Sequence, residues 1–150
     1  MTPDQVDRTV RASSLAELVW TDPDGAPDGV GVVALSWRQT PVVAFTYAHE
    51  GHARAAAASP LVVVALTERR STGEMFEPMA VVGRPRLVED LTGTIFSEEL
   101  LVEELRRYPP GRKYADSPLL RREHWWYLPR LILAVDVDAV LPIAARESLH

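Results

Sequence analysis

Residues 42–67, VVAFTYAHEGHARAAAASPLVVVALT, hold two apolar runs separated by a short basic and alanine-rich segment. The first run, Val42–Tyr47, is rich in β-branched and aromatic residues and predicts a strand. The second, Leu61–Thr67, predicts a strand that is buried on both faces. Alanine has the highest helix propensity and Pro60 cannot continue a helix, so the segment between the runs predicts one or two helical turns.

The start of this predicted helix carries His49, His52 and Arg54. Cations are normally disfavoured there, because the helix dipole is positive at that end and the first backbone N–H groups are unpaired. Gly51 allows backbone angles that are closed to other residues. The pattern predicts a local site for a bound anion; the alternative is that His52 and Arg54 are solvated residues of a small surface helix.

Towards the N-terminus the sequence predicts a helix followed by a hairpin. Thr2 is a good N-cap before a proline, which indicates a helix over about residues 3–13. Strands are predicted over Leu15–Trp20 and Val30–Trp37, since the Asp, Pro and Gly residues of 21–29 favour a turn. Residues 38–41, RQTP, predict the next turn.

Towards the C-terminus the sequence predicts two further strands. Met79–Asp90 contains Gly83 and Pro85 in its middle, which indicates either a bulge or an edge strand. In Leu131–Ile143 apolar residues alternate with Asp136 and Asp138, which is typical of a strand with one solvated face.

Two helices are predicted between these strands. Phe96, Leu100, Leu101, Leu105 and Tyr108 recur at helical spacing, with acidic residues early and arginines late. Ser117 and Pro118 begin a second predicted helix, which runs through Tyr127. Strands nevertheless dominate and are joined mostly by short turns. The predicted class is mainly β, a β-barrel with flanking α-helices.

The composition narrows the class of protein. The chain has 150 residues, of which 47% are hydrophobic, and this predicts a single domain over 1–150 with its barrel over about 15–143. A net charge of -5 argues against a broad nucleic-acid-binding face. There is no cysteine, no signal-peptide pattern and no run of about 20 apolar residues. We therefore expect a cytoplasmic protein without a membrane anchor.

The order of these segments resembles the pyridoxamine 5'-phosphate oxidase-like family of FMN-binding split β-barrels. The matching features are the DGAP turn of residues 24–27, a strand-end Thr46, the segment HARAAAASP of residues 52–60 and a later strand with a central Gly83. In this likeness His52 stands where the family has Lys, and Arg54 where it has Arg. The resemblance implies that the helix start faces a flavin phosphate, with Thr46, Tyr47, Gly51, His52 and Arg54 as cofactor-binding residues.

The chain also departs from the oxidase itself. Val30 and Leu35 stand where the oxidase carries Arg and Lys, Glu50 stands where Ser is expected, and the C-terminal Arg-rich substrate motif is missing. We therefore do not expect a true pyridoxamine 5'-phosphate oxidase.

Other residues are secondary candidates for ligand binding. Arg69 and Arg70 are in a polar loop, and Trp125 and Trp126 are aromatic residues that are more often core or interface anchors. A metal site is not expected, because besides His49 and His52 only His124 and His150 remain as imidazole ligands. No nucleophile–base pair is visible, so the catalytic residues are unknown.

The resemblance implies a homodimer that binds FMN in a groove between subunits. The expected activity is a flavin-dependent oxidoreduction of an unidentified small molecule, in which the cofactor carries the chemistry. One alternative is a non-catalytic protein that stores or senses a flavin or haem. Another is a deazaflavin-dependent reductase.

Overall fold

The computed structural model describes residues 2–68, 76–106 and 129–143. Its elements in chain order are α1 (Pro3–Ala12), β1 (Ala16–Thr21), β2 (Pro27–Val32), β3 (Leu35–Trp37), β4 (Thr40–Phe45), a 3-10 turn (Tyr47–His49), α2 (Glu50–Ala58), β5 (Val62–Leu66), β6 (Met79–Glu89), a π-helical turn (Phe96–Leu100), α3 (Leu101–Arg106) and β7 (Leu131–Pro142). The predicted helix over 117–127, and residues 69–70 and 124–126, lie outside this part of the chain.

The seven strands form one curled antiparallel sheet in the order β2-β1-β5-β6-β7-β4-β3. The helices α1 and α2 pack on the concave side, where Val6 and Val10 of α1 and Ala53 and Ala56 of α2 join the larger core cluster. A smaller cluster on the convex side packs Phe96 against β3, β4 and β7. The prediction of a mainly β fold with flanking helices is confirmed.

The first helix forms where the sequence predicts it. Thr2 and Gln5 make a reciprocal capping box, in which the Gln5 N–H donates to Thr2 Oγ1 at 3.3 Å and the Thr2 N–H donates to Gln5 Oε1 at 2.8 Å. On its other flank the Ser36 hydroxyl of β3 donates to the Asp7 carboxylate. The capping box stabilises the start of α1, and the Ser36–Asp7 hydrogen bond joins the helix to the edge strand β3.

The apolar run Val30–Trp37 is not one strand, as predicted, but two. β2 is hydrogen-bonded to β1, whereas β3 is hydrogen-bonded to β4, so the chain passes from one edge of the sheet to the other at residues 33–34. The residues before and after 33–34 are similar in composition but pair with different strands. Composition therefore does not indicate where the strand pairing changes. This break produces the open seam of the barrel.

The strand Val62–Leu66 is not buried on both faces, as predicted. Val62, Val64 and Leu66 are buried, while Val63 and Ala65 are half-buried. The side chains of Val63 and Ala65 face the convex side of the sheet. The described helices that contribute residues to the two core clusters pack on other parts of the sheet.

The predicted bulge in Met79–Glu89 is confirmed, because the register with β7 shifts between Val82 and Gly83. The alternative of an edge strand is wrong, since β6 lies between β5 and β7. A Cβ at Gly83 would lie 2.4 Å from the Asp136 carbonyl oxygen, so the two backbones approach too closely for a side chain there.

The last strand differs from the prediction of one solvated face. Its first half, residues 131–135, is buried on both faces because it separates the two core clusters. Val137, predicted to be buried, is 40% exposed. Asp138 is the extra residue of the bulge, since Val137 pairs with Gly83 and Ala139 with Val82, and it interrupts the alternation.

The amphipathic helix predicted from Phe96 begins as a π-helical turn and continues as α3 to Arg106. Its side chains Phe96, Leu100 and Leu101 are buried as the spacing predicts. Among the described helices, none has both the length and the apolar character needed to cross a membrane.

Candidate functional site

The candidate site lies in the seam between β2 and β4. Within the described residues β2 pairs only with β1, and β3 covers only Thr40–Val42 of β4, so residues 43–45 have no strand beside them on that side. A cavity of about 440 Å³ fills this gap. Its lining residues are Val30, Gly31, Val32, Val33, Val43, Ala44, Phe45, Thr46, His49, His52, Phe96, Leu101, Glu104 and Pro129.

Most of this lining is apolar, and its polar side chains are those of Thr46, His49 and His52 on one side and of Glu104 of α3 on another. The walls are strand residues and the side chains of Phe96 and Leu101, whereas Thr46, His49 and His52 come from the end of β4 and the start of α2. An apolar cavity of several hundred Å³ with a few convergent polar groups is typical of a site for a small organic ligand.

The helix α2 presents the histidines because its other face is buried. Ala53 and Ala56 are fully buried against the sheet, and their small side chains let the helix lie close to it. His49 is the N-cap residue, and the helix ends at Ala58 before Pro60 as predicted. His49 and His52 are one helical turn apart and therefore share the face that borders the cavity.

The two imidazole rings are stacked on each other. Their centroids are 6.1 Å apart with an angle of 12° between the ring planes. The ring of the buried Trp20 lies 5.8 Å from that of His52, tilted by 47°. His52 therefore has a ring contact with each of Trp20 and His49, while both histidines remain exposed at the rim of the cavity.

Arg54 is engaged by carboxylates. Its Nη2 lies 2.8 Å from Glu50 Oε2 and 3.6 Å from Glu89 Oε1, and its Nε donates to Glu50 at 3.0 Å. The hydrogen bond to Glu50 raises the pKa of Arg54 further above its ordinary value. Arg54 is not among the lining residues of the cavity. Its predicted phosphate contact stays a prediction, and such a contact requires the guanidinium to leave these two carboxylates.

Tyr47 joins the same group of contacts. Its hydroxyl donates to Glu89 Oε1 at 3.0 Å, and this hydrogen bond to a carboxylate raises the pKa of Tyr47. The side chain of Tyr47 is 42% exposed. Like Arg54, it contacts the end of β6 instead of lining the cavity.

Only some of the other predicted site residues lie at the cavity. Thr46 lines the cavity beside the histidines. Gly51 does not, and a Cβ added there would meet no atom within 4 Å. The secondary candidates Arg69, Arg70, Trp125 and Trp126 lie outside the described residues. In the described ranges no three His, Asp or Glu side chains are placed to hold a metal ion.

Sequence reasoning did not predict the walls of the cavity. They come from β2, β4 and the π-helical turn, and their proximity depends on which strand edges remain unpaired. One signal was present: Gly29 and Gly31 within a strand indicate a place where another group approaches the backbone. At Gly31, however, an added Cβ would meet nothing within 4 Å, so open space and not a close approach lies beside this glycine.

Another cavity, of about 560 Å³, lies between α1, the β3–β4 turn and the second half of β7. Its carboxylates Asp136 and Asp138 form ion pairs with Arg86 and Arg84. No histidine is among its lining residues. Of these two cavities, the seam cavity is the one that combines apolar walls with histidine side chains.

Comparison with known proteins identifies the fold. The conserved hypothetical protein Rv2991 from Mycobacterium tuberculosis is similar over 93% of this chain and 82% of its own, at 15% identity with a TM-score of 0.69. HutZ, the haem storage protein from Vibrio cholerae, matches over 93% and 92% at 12% identity with a TM-score of 0.55. A haem-binding protein from Mycobacterium smegmatis matches over 97% of this chain and 55% of its own, at 15% identity with a TM-score of 0.55.

No family model and no curated protein matches the sequence. At 12–15% identity the structural likeness establishes the fold alone. That fold is the split β-barrel, as the resemblance in the sequence implies. The chain thus has a split β-barrel fold with a histidine-rimmed cavity at its seam.

Proposed function

We propose that this chain binds haem in the seam cavity, with an imidazole of the His49–His52 pair as a ligand of the iron. The observation that carries the proposal is the meeting of two exposed imidazoles with an apolar cavity of about 440 Å³. Histidine is a common axial ligand of haem iron, and apolar walls suit the faces of a porphyrin. The neighbours described as haem storage and haem-binding proteins support this choice.

His52 is the better placed of the two histidines. Its ring contacts those of both Trp20 and His49, so fewer orientations are open to it before a ligand arrives. A preorganised side chain loses less conformational entropy on binding than one that is free to rotate. We assign iron coordination to His52 and support of its ring to His49 and Trp20.

FMN is the ligand that the sequence resemblance implies, but the site supports it less well. Two cations, His52 and Arg54, are expected to face its phosphate. Arg54 is bound by Glu50 and Glu89, and Glu50 adds a negative charge at the start of α2 beside His52. The imidazoles border the cavity instead. Binding or storage of haem is therefore the function that the geometry supports best, in preference to flavin-dependent oxidoreduction.

Titration with ferric haem tests this proposal. We expect saturation at one haem per chain with a shifted Soret band, and His52→Ala should raise the dissociation constant about tenfold or more, equivalent to about 1.4 kcal/mol. Added imidazole should restore the wild-type spectrum. An unchanged titration in His52→Ala and His49→Ala, or a loss caused by His124→Ala instead, would contradict the assignment.

A second pair of variants tests the cavity itself. Gly31 is a lining residue of the cavity and Gly51 is not, and an added Cβ meets no atom within 4 Å at either position. Gly31→Leu therefore adds bulk beside the cavity, whereas Gly51→Leu adds it away from the lining. Only Gly31→Leu should block haem. Equal losses in both variants would show that the ligand lies elsewhere, and a loss in Gly51→Leu alone would favour the contact that the sequence predicts there.

A further inference from the structure

Two side chains that flank the histidines meet on one oxygen at the end of β6. Tyr47, two residues before His49, donates its hydroxyl to Glu89 Oε1 at 3.0 Å. Arg54, two residues after His52, places its Nη2 3.6 Å from the same oxygen. Glu89 is the last residue of β6, a strand that pairs with both of its neighbours. The histidine turn is thus attached at both ends to one point of the sheet.

These contacts of Glu89 matter because the start of α2 lacks the side-chain caps that usually stabilise the start of a helix. Among the described residues, neither the N-cap of α2, His49, nor that of the preceding 3-10 turn, Thr46, makes a side-chain capping hydrogen bond. Such caps normally fix the direction in which a chain enters a helix. Here the contacts of Glu89 act from outside the helix.

We propose that Glu89 is a positioning residue that fixes the turn carrying His49 and His52 for coordination, through Tyr47 on one side and Arg54 on the other. The inference rests on the proposed function. Tyr47 and Arg54 lie outside the cavity lining, so Glu89 acts through the backbone of residues 47–54 and not by contact with the ligand. Groups that hydrogen-bond directly to a metal ligand commonly change metal affinity by about 10- to 100-fold when they are removed, and Glu89, which contacts neither histidine, should have an effect at the lower end of that range.

Three substitutions separate the parts of this arrangement. Glu89→Ala removes both contacts, Glu89→Gln keeps an oxygen that accepts from Tyr47, and Tyr47→Phe removes only the hydrogen bond. Arg54 keeps its 2.8 Å contact with Glu50 in all three, so its charge stays paired. Glu17→Ala, at an exposed residue of β1, is the matched control for the loss of a surface carboxylate.

Haem titration of these variants gives the first readout. Glu89→Ala should raise the dissociation constant about tenfold and shift the Soret band towards that of His52→Ala, while Glu89→Gln should restore most of both and Glu17→Ala should change neither. Thermal unfolding of each variant establishes that it is folded at the temperature of the titration. An unchanged affinity and spectrum in Glu89→Ala would overturn the proposal.

Imidazole NMR signals of the haem-free protein give the second readout. Glu89→Ala should shift or broaden the ring signals of both His49 and His52, and Glu89→Gln should restore them. If the wild type binds no haem while these changes appear, the proposed function fails and the positioning role stands. If haem binds but the ring signals of Glu89→Ala match those of the wild type, the positioning role fails alone.

Discussion

Arg54 is bound by Glu50 at 2.8 Å and Glu89 at 3.6 Å, and this pairing decides what the start of α2 offers to a ligand. The guanidinium satisfies two carboxylates of the same chain, whereas the imidazoles of His49 and His52 face the cavity. A phosphate at this point would have to compete with both carboxylates. Coordination of a metal by an imidazole does not require these ion pairs to be broken.

Comparison of FMN with riboflavin, which differs only in lacking the phosphate, tests the role of Arg54. Because Arg54 is paired and lies outside the cavity lining, Arg54→Ala should change the affinities for the two flavins by the same factor. Fluorescence quenching measures both. A loss of about tenfold or more for FMN alone would show that the guanidinium binds the phosphate, as the sequence predicts.

The bulge between β6 and β7 is the element-scale feature that depends most on a single residue. The register shifts at Val82 and Gly83, and the Gly83 Cα lies so near the backbone of β7 that an added Cβ would be 2.4 Å from the Asp136 carbonyl oxygen. The backbone of β7 cannot move aside for an added Cβ as a flexible side chain could. Glycine is therefore required at this position, in the middle of the longest ladder of the sheet.

Gly83→Ala should lower the free energy of unfolding by about 2 kcal/mol, since overpacking against rigid neighbours typically costs 1–3 kcal/mol. Gly31→Ala is the matched control, because it is also a strand glycine but its added Cβ meets nothing within 4 Å. Urea denaturation of both variants measures the difference. A Gly83→Ala protein as stable as Gly31→Ala would contradict the close approach.

The strands could be predicted from β-branched composition, but their partners could not. Composition predicts Val30–Trp37 as one continuous strand. The segment is divided in two because its first part pairs with β1 and its second part pairs with β4. The burial of residues 131–135 on both faces likewise depends on the π-helical turn that packs from a distant part of the chain. Composition reports local conformation, whereas the sheet order arises from contacts far apart in sequence.

The same distinction applies to the candidate site. His49, His52 and Thr46 could be predicted because their position at a strand–helix junction is a local property. The apolar walls could not, since Val43 and Phe45 line a cavity only because β3 is too short to cover them. The pairing of Arg54 with Glu89 joins residues 35 positions apart, and spacing along the chain does not reveal it.

At the scale of the whole molecule, the convex face of the sheet carries two cross-strand rows of mostly apolar residues. One row runs through directly paired Val19, Val63, Val82 and Ala139, and the other through Ala65, Ala80 and Leu141. Leu141 is 54% exposed. The other valines and alanines of the rows are mostly half-buried. A partly exposed apolar face of this kind fits the homodimer that the sequence resemblance implies.

Light scattering should therefore report about twice 16.7 kDa, and Leu141→Glu together with Val82→Glu should shift the protein towards the monomer. Charges buried in an apolar interface are strongly unfavourable unless they are paired. Glu17→Lys, at the border of the same face, serves as a control for a change of surface charge. A monomeric wild type at micromolar concentration would contradict the dimer.

Pulsed electron paramagnetic resonance of the ferric haem complex, prepared with ¹⁵N only in histidine, tests the central claim most directly. Coordination by the His49–His52 pair predicts a strong coupling between the iron and a histidine nitrogen, and this coupling should disappear in the His49→Ala/His52→Ala double variant. A wild-type complex without a histidine coupling, or a coupling that persists unchanged in the double variant, would contradict the assignment of the seam cavity as a haem site.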